Sequence, residues 1–257
     1  MTRPNEPASR PRLLPAVRAA CRRRGFALAT ERAYLAWTLR LVRFHQRRTG
    51  TLRHPADLSE DDVSDFLDHL AVQRDLAATS LRQALSALVF LYEHVLFQPL
   101  GTLRPLVRPR RPRTLPVVLS AEQVGALLAR MRTPTSALIA RLLYGSGLRL
   151  TEALRLRIKD VSFDRQTISV RRAKGDKDRL TVLPPSLIGG LHRQMEHALA
   201  VAEDDRHRGL PGVYLPHALA RKMPHADREA PWQWLFPSRS LSTDPRSGLR
   251  RRHHVSP

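Results

Sequence analysis

Along residues 15–98 the apolar side chains recur at helical spacing. Tyr34, Trp37, Leu41 and Phe44 share one face, and Val63, Phe66, Leu67 and Leu70 follow Ser59 and Asp62, which are spaced as a capping box. Leu81, Leu85, Leu88, Val89, Tyr92, Val95 and Leu96 continue the pattern after Thr79. With a short basic helix near Pro15 to Arg24, the pattern predicts a compact four-helix unit. Between Phe97 and Pro116 the period stops, and Pro99, Pro105, Pro109, Pro112 and Pro116 alternate with Arg104, Arg108, Arg110, Arg111 and Arg113. Prolines this dense stop helices and stiffen the chain, so the stretch reads as a linker with a basic face, or else as a long surface loop.

Beyond the linker, Ser120 and Gln123 open a helix expected to turn Val124, Leu127, Leu128 and Met131 inward. A second helix, from about Thr135 to Tyr144, ends at Gly145-Ser146-Gly147. At Val161 the period changes. Val161 to Phe163, Thr167 to Val170 and Leu180 to Leu183 are short β-type runs, separated by Asp164-Arg165 and by the polar turn Lys174 to Asp178. They predict a small antiparallel three-stranded sheet. Helix returns from Ser186 to about Asp205, and the remaining residues, rich in Pro, His and Trp, show no clear period.

The charge adds a partner to this picture. Forty-four basic and 23 acidic side chains give a net charge of +21, spread as +10 over residues 1–118 and +11 over residues 119–257. Both halves are basic enough to touch one polyanion. Forty of the basic residues are arginines, which a GC-rich genome also produces, so their number alone says little about phosphate recognition. At 42 % hydrophobic residues the chain has enough apolar material for a core, which argues against a disordered basic tail. One cysteine, Cys21, excludes an intramolecular disulfide, and no apolar run reaches the ~20 residues of a membrane helix. Met1 to Pro15 lack a secretory apolar segment, so an intracellular location is expected.

Three groups of residues are candidates for chemistry. Arg149 follows the glycine break Gly145-Ser-Gly147 at the expected start of a helix, where backbone N–H groups and a guanidinium converge on a phosphate. Glu152, three residues on, is placed to orient that guanidinium, although a plain surface ion pair fits the spacing equally well. Lys174 lies beside Gly175 on the expected strand-to-strand turn. There it reads either as a solvated turn lysine or as a proton donor to a departing oxygen. Trp232, Trp234, His253 and His254 fall in the stretch without a period and read as core packing or as a surface that stacks on bases. Two adjacent histidines do not readily face one ion, and neither His-Glu-x-x-His nor a cysteine pair occurs, so no metal is expected.

Taken together, Gly145-Ser-Gly-Leu-Arg149-Leu-Thr-Glu152, Leu156-Arg-Ile-Lys-Asp160-Val-Ser-Phe-Asp164 and Lys174-Gly-Asp-Lys-Asp178-Arg179 resemble the first half of the catalytic domain of tyrosine recombinases. Leu219-Ala-Arg-Lys222-Met-Pro224, Pro231-Trp-Gln-Trp234-Leu-Phe236-Pro237, and Ser242 to Gly248 followed by Arg250, Arg251, Arg252, His253 and His254 narrow the resemblance to integron integrases. It covers nearly the whole chain. The resemblance implies a mainly α fold with a small antiparallel sheet: a basic arm at 1–14, a four-helix SAM-like core-binding domain at 15–98, a linker at 99–118, and a partial catalytic domain at 119–257 with an integron-specific insertion at about 190–250.

It further implies a site-specific recombinase that integrates and excises gene cassettes by metal-free phosphotyrosine transesterification, without ATP or any other cofactor. Arg149 would hold the scissile phosphate and Lys174 would protonate the leaving 5′-hydroxyl. The linker arginines Arg108, Arg110, Arg111 and Arg113, with Lys177, would bind DNA, and Trp232, Trp234, His253 and His254 would hold bases flipped out of folded single-stranded hairpin sites. The family acts as tetramers on DNA, here in a bacterial cytoplasm and with no membrane partner. The family's His-x-x-Arg motif and nucleophilic tyrosine are not found among the 257 residues, whose tyrosines are Tyr34, Tyr92, Tyr144 and Tyr214. The sequence is therefore expected to be truncated and inactive in strand cleavage by itself. The competing expectation is a non-catalytic remnant that occupies recombination sites.

Overall fold

Apolar faces at helical period must be buried against one another, and in the computed structural model they are. It describes residues 12–104, 117–171, 178–245 and 247–256, which divide into two units, Met1–Leu115 and Pro116–Pro257. In the first unit α1 (Leu13–Arg23), α2 (Leu28–Thr49), α3 (Glu60–Asp68) and α4 (Ala78–Leu91) form the four-helix arrangement that the periodicity predicts. Val17, Trp37, Leu41, Val63, Phe66, Leu67, Leu81, Leu88 and Leu91 make its core. The Ser59–Asp62 capping box starts α3 with both reciprocal bonds in place. Tyr92, just past α4, is buried and donates its hydroxyl to the Pro55 carbonyl at 2.8 Å.

The chain stays on this unit past residue 98. Leu100 and Leu103 pack against the core, the Gly101 amide donates to Glu60 Oε1 at 2.7 Å, and the Arg104 amide donates to Ser64 Oγ at 3.3 Å. The Arg104 guanidinium then pairs with Asp65 and lies 3.5 Å from Asp68, so four acidic positions of α3 strap down the beginning of the Pro/Arg stretch.

The second unit opens with α5 (Ala121–Ala129), capped by Ser120 and Gln123, and α6 (Pro134–Ser146). The inward face expected for α5 is only partly there. Val124, Leu128 and, just past the helix, Met131 are half-buried, but no residue of the helix is fully buried and Leu127 is 57 % exposed; its main neighbour among the described elements is α6. After α6, Gly147 takes a left-handed conformation (φ 61°) that turns the chain into α7 (Leu150–Leu154). Gly145 is required for a different reason: a Cβ there would stand 2.8 Å from Pro184 Cγ.

The expected sheet follows, as β1 (Val161–Ser162), β2 (Thr167–Val170) and β3 (Arg179–Val182) in the order β1-β2-β3, all antiparallel. Ile168 and Val170 face the core with Leu142, Leu154 and Leu156. In the register, Ile168 stands opposite Thr181 and Val170 opposite Arg179. The polar residues of β3 therefore share the inward face, while Leu180 and Val182 point out at 69 % and 56 % exposure. Helix α8 (Ile188–His207) packs Leu191 on the same core, and buried Gln194 donates to the Leu235 carbonyl at 2.9 Å.

The stretch that showed no period is ordered. It holds α9 (His217–Lys222) and the antiparallel pair β4 (Pro237–Thr243) and β5 (Arg250–His254). Its alternation is hidden because an arginine, Arg251, occupies the buried position of β5. Arg251 is buried and donates to the Gly212 carbonyl, and Arg252 forks onto both oxygens of Asp205.

Candidate phosphate site and nucleic-acid interface

Arg149 sits at the N-cap of α7 with an extended backbone. Its amide donates to Glu152 Oε2 at 2.9 Å, and one terminal nitrogen of its guanidinium donates to Glu152 Oε1 at 2.8 Å. The local spacing predicts this pair; the third partner comes from far along the chain. Arg179, the first residue of β3, forks onto the same carboxylate with contacts of 3.0 and 2.8 Å. A second tie lies two residues on, where Thr181 donates to the Ser146 carbonyl at 2.7 Å, at the end of α6.

The exposures differ in a useful way. The Glu152 side chain is 8 % exposed, Arg179 35 % and Arg149 57 %. Glu152 is thus the buried anchor, and Arg149, with a single side-chain bond among the described residues, is exposed with further N–H donors to spare. The bidentate Arg179, then the amide and guanidinium of Arg149, hold the Glu152 carboxyl down at about 2. A carboxylate this acidic stays ionised near neutral pH and is unsuited to proton transfer there, so its role is to orient. The arrangement can bind a phosphate through Arg149 and stabilise charge developing on its oxygens.

Trp232, Trp234, His253 and His254 gather in a second cluster, around a residue that sequence reading did not single out. Arg157 is 7 % exposed and lies 4.0 Å from the Trp234 ring and 5.6 Å from the Trp232 ring. It donates to the carbonyls of Trp232 and, at 2.6 Å, Tyr214, and its amide donates to Asp160 at 2.9 Å. Burial lowers its pKa to about 10, so it stays charged, and the tryptophan faces and two carbonyls take the place of water.

Trp234 is buried and belongs to the packing of this unit. Trp232 is half-buried, with the Lys159 ammonium 2.9 Å from its ring centre. His253 stacks at 6.3–6.4 Å on Trp234 and Tyr214, and His254 meets the edge of Trp234 at 5.1 Å. Burial pushes both imidazoles below their usual pKa.

Lys174, Lys177, Arg108, Arg110, Arg111 and Arg113 lie outside the described residues. In the first unit, α2 carries a stripe that the sequence reading passed over. Arg32, Arg40, Arg43 and Arg47 are all exposed and fall within a sector of about 80° at 3.6 residues per turn, along about 22 Å of helix. None of the four has an ion-pair partner among the described residues; Arg40 lies 4.4 Å from the Trp37 ring. The signal was present as arginines at helical spacing, turned about 120° from the Trp37–Leu41 face.

Residues 13–102 match the "phage integrase, N-terminal SAM-like domain" family and residues 117–255 match the "phage integrase family". The chain belongs to the phage integrase family. It is 43 % identical over 254 residues to an "Integrase/recombinase" of Escherichia coli and equally to one of Pseudomonas aeruginosa, covering 99 % of this chain and 74 % of each relative. A "Tyrosine recombinase XerA" of Thermococcus kodakarensis is 35 % identical over 66 % of this chain and 61 % of its own length. Among solved structures, the Tn1549 transposon integrase in complex with transposon right-end DNA superposes with a TM-score of 0.53 over 88 % of this chain and 71 % of that one; at 13 % identity the likeness is one of fold. The chain is thus a tyrosine recombinase by family, built from a SAM-like domain and a catalytic-type domain. No helix among the described residues is long and apolar enough to cross a membrane.

Proposed function

We propose that this chain works as a site-specific DNA recombinase of the integron-integrase type. The observation that carries this reading is Arg149: an exposed guanidinium at a helix start, held by one bond to a buried, ionised Glu152, inside the domain that matches the phage integrase family. In this reading Arg149 grips a non-bridging oxygen of the scissile phosphate and stabilises the charge that builds as a tyrosine oxygen attacks phosphorus. The P–O bond to the 5′-oxygen breaks while the new P–O bond to tyrosine forms, and Lys174 gives its proton to the departing 5′-oxygen. Phosphoester energy is conserved in the 3′-phosphotyrosine, so neither ATP nor a metal is needed.

Tyr34 and Tyr92 do not serve as the nucleophile in this reading, because both are packed into the first unit and burial raises their phenol pKa. The α2 stripe, Arg108, Arg110, Arg111, Arg113 and Lys177 contribute phosphate contacts from both halves of the chain. Trp232, His253 and His254 hold bases displaced from a folded single-stranded cassette site, and the working assembly is a tetramer on DNA.

The reading is tested by appending a family C-terminal segment that carries the His-x-x-Arg motif and the nucleophilic tyrosine, and incubating the joined protein with a folded single-stranded site. A covalent protein–DNA adduct that survives denaturing electrophoresis, and is lost in Arg149→Ala and Lys174→Ala, is expected. An adduct unaffected by Arg149→Ala overturns the assignment. DNA binding with no adduct in the joined protein would leave a binding-only role.

A further inference from the structure

Arg179 is the other half of the Arg149 site. On a strand where Leu180 and Val182 are the apolar residues, the inward positions are taken by Arg179 and Thr181, and both reach the α6–α7 junction. Facing Arg179 inward turns two apolar side chains to solvent, so the strand's register is set by its polar contacts and not by apolar burial. The contact made is the most demanding one an arginine has: a planar fork on both oxygens of a carboxylate that is itself 8 % exposed.

We propose, resting on the reading that Arg149 grips a DNA phosphate, that Arg179 is a positioning residue that keeps Arg149 free to do so. Glu152 carries one negative charge and two oxygens. With Arg179 forked across both, the carboxylate's charge is already balanced, and Arg149 is held by one nitrogen only. Without Arg179 the whole negative charge falls to Arg149, the nearest cation left. Its guanidinium then closes onto Glu152 as a neutral pair, and the donors that faced solvent are spent inside the protein. The trio as built carries a net +1 and shows that charge outward at Arg149. Arg179 thus acts on DNA through Arg149 and makes no phosphate contact of its own.

The test uses the 257-residue chain and a short B-form duplex, with the salt dependence of binding as readout. Each phosphate contact contributes ~0.9 to the slope of log binding constant against log salt. Arg149→Ala is expected to lower the slope by ~0.9, and Arg179→Ala to lower it by a similar amount. The double variant should lose no more than either single one. Glu152→Gln placed in the Arg179→Ala background should restore the slope, because the amide no longer captures Arg149. If the alanine variant unfolds, Arg179→Gln, which keeps a hydrogen bond to Glu152 without the charge, is expected to give the same reduced slope and the same rescue.

Additive losses in the double variant would make Arg179 an independent phosphate contact and overturn the proposal. Loss without rescue by Glu152→Gln would reduce Arg179 to a structural brace and overturn it as well. An unchanged slope for Arg179→Ala beside a reduced one for Arg149→Ala removes this inference alone, whereas an unchanged slope for Arg149→Ala removes the phosphate reading and this inference with it.

Discussion

On α2 of the first unit Arg32, Arg40, Arg43 and Arg47 stand in solvent, whereas in the second unit Arg157 and Arg251 are buried and Arg252 is nearly so, each tied to carbonyls or to a carboxylate. The first unit closes with an apolar core and keeps its arginines exposed, including Arg18 and Arg22, which pair with its buried Glu31. The second replaces part of an apolar core by arginine staples: Arg157 ties Trp232 and Tyr214 together, and Arg252 ties β5 to α8 through Asp205. The same residue type is therefore left free to meet a polyanion along α2 and is spent on internal bonds in the staples of the second unit. Net charges of +10 and +11 conceal this, since a staple spends its charge within the protein.

Substitutions inside the staples should separate the two uses most sharply. Trp234→Ala opens a cavity at the buried ring under Arg157 and is expected to cost ~3–5 kcal/mol, read as a lowered unfolding transition of the second unit with the first unit's transition unmoved. Arg157→Ala strands the Trp232 and Tyr214 carbonyls and should cost about 3 kcal/mol. Trp232→Ala, at the half-buried ring, should instead lose ~1–3 kcal/mol of binding to a hairpin with displaced bases while plain duplex binding holds. Equal losses on the two DNAs, or a fall in stability in place of either, would put Trp232 with the staples.

On the exposed side, Arg43→Ala and Arg47→Ala are each expected to lower the salt slope of DNA binding by ~0.9 while changing stability by less than ~0.5 kcal/mol. A slope indifferent to both would remove α2 from the interface.

Acid should act on both units, since Asp62 and Asp65 of the first are also held below the usual carboxylate range, and in the second it acts through Glu152. Glu152 is held at about 2 against an ordinary 4.5, so its contribution is fully present above about pH 4.5 and is lost as the pH falls from there toward about 2. Glu152→Gln is expected to flatten stability over that window, as followed by unfolding at fixed denaturant from pH 5 downward.

The contrast between the units also explains what could be read from the sequence. Where charge stays outside, the apolar period is visible: Trp37 and Leu41, the Ser59–Asp62 box and the faces of α3 and α4 were all legible. The sheet was legible too, from three short runs and two turns. Of the site, the Arg149–Glu152 pair showed in its three-residue spacing. Arg179 did not, because it lies 27 residues from Glu152 and enters from a strand whose apolar residues face outward. Strands β4 and β5 were hidden by Arg251 at a buried position and Arg252 drawn onto Asp205, and Arg157 by looking like any other arginine among forty. The inward face expected of α5 is met only in part, with Val124 and Leu128 half-buried and Leu127 exposed: periodicity shows which face could be buried, and only a neighbouring element decides how far it is.

That last point gives the smallest effect and the finest comparison. Ser59 and Ser120 cap α3 and α5 with the same box geometry, each accepting from the amide three residues on at 3.2 Å. Replacing a cap serine by alanine removes one acceptor from the first turn and typically costs ~1 kcal/mol. Helix α3 buries Val63, Phe66 and Leu67 in the first unit's core, so its unravelling is coupled to the whole unit, and Ser59→Ala should cost the full ~1 kcal/mol in global unfolding. Helix α5 has no fully buried residue, with only Val124 and Leu128 half-buried, so its opening is expected to be a local event that leaves the second unit's core intact. Ser120→Ala is therefore expected to shift global unfolding by less than ~0.5 kcal/mol while amide exchange in residues 121–129 accelerates about fivefold, the change that ~1 kcal/mol produces in a local opening equilibrium. A global loss for Ser120→Ala equal to that for Ser59→Ala would mean that α5 is as firmly coupled to its core as α3, and that some element covers its open face in solution.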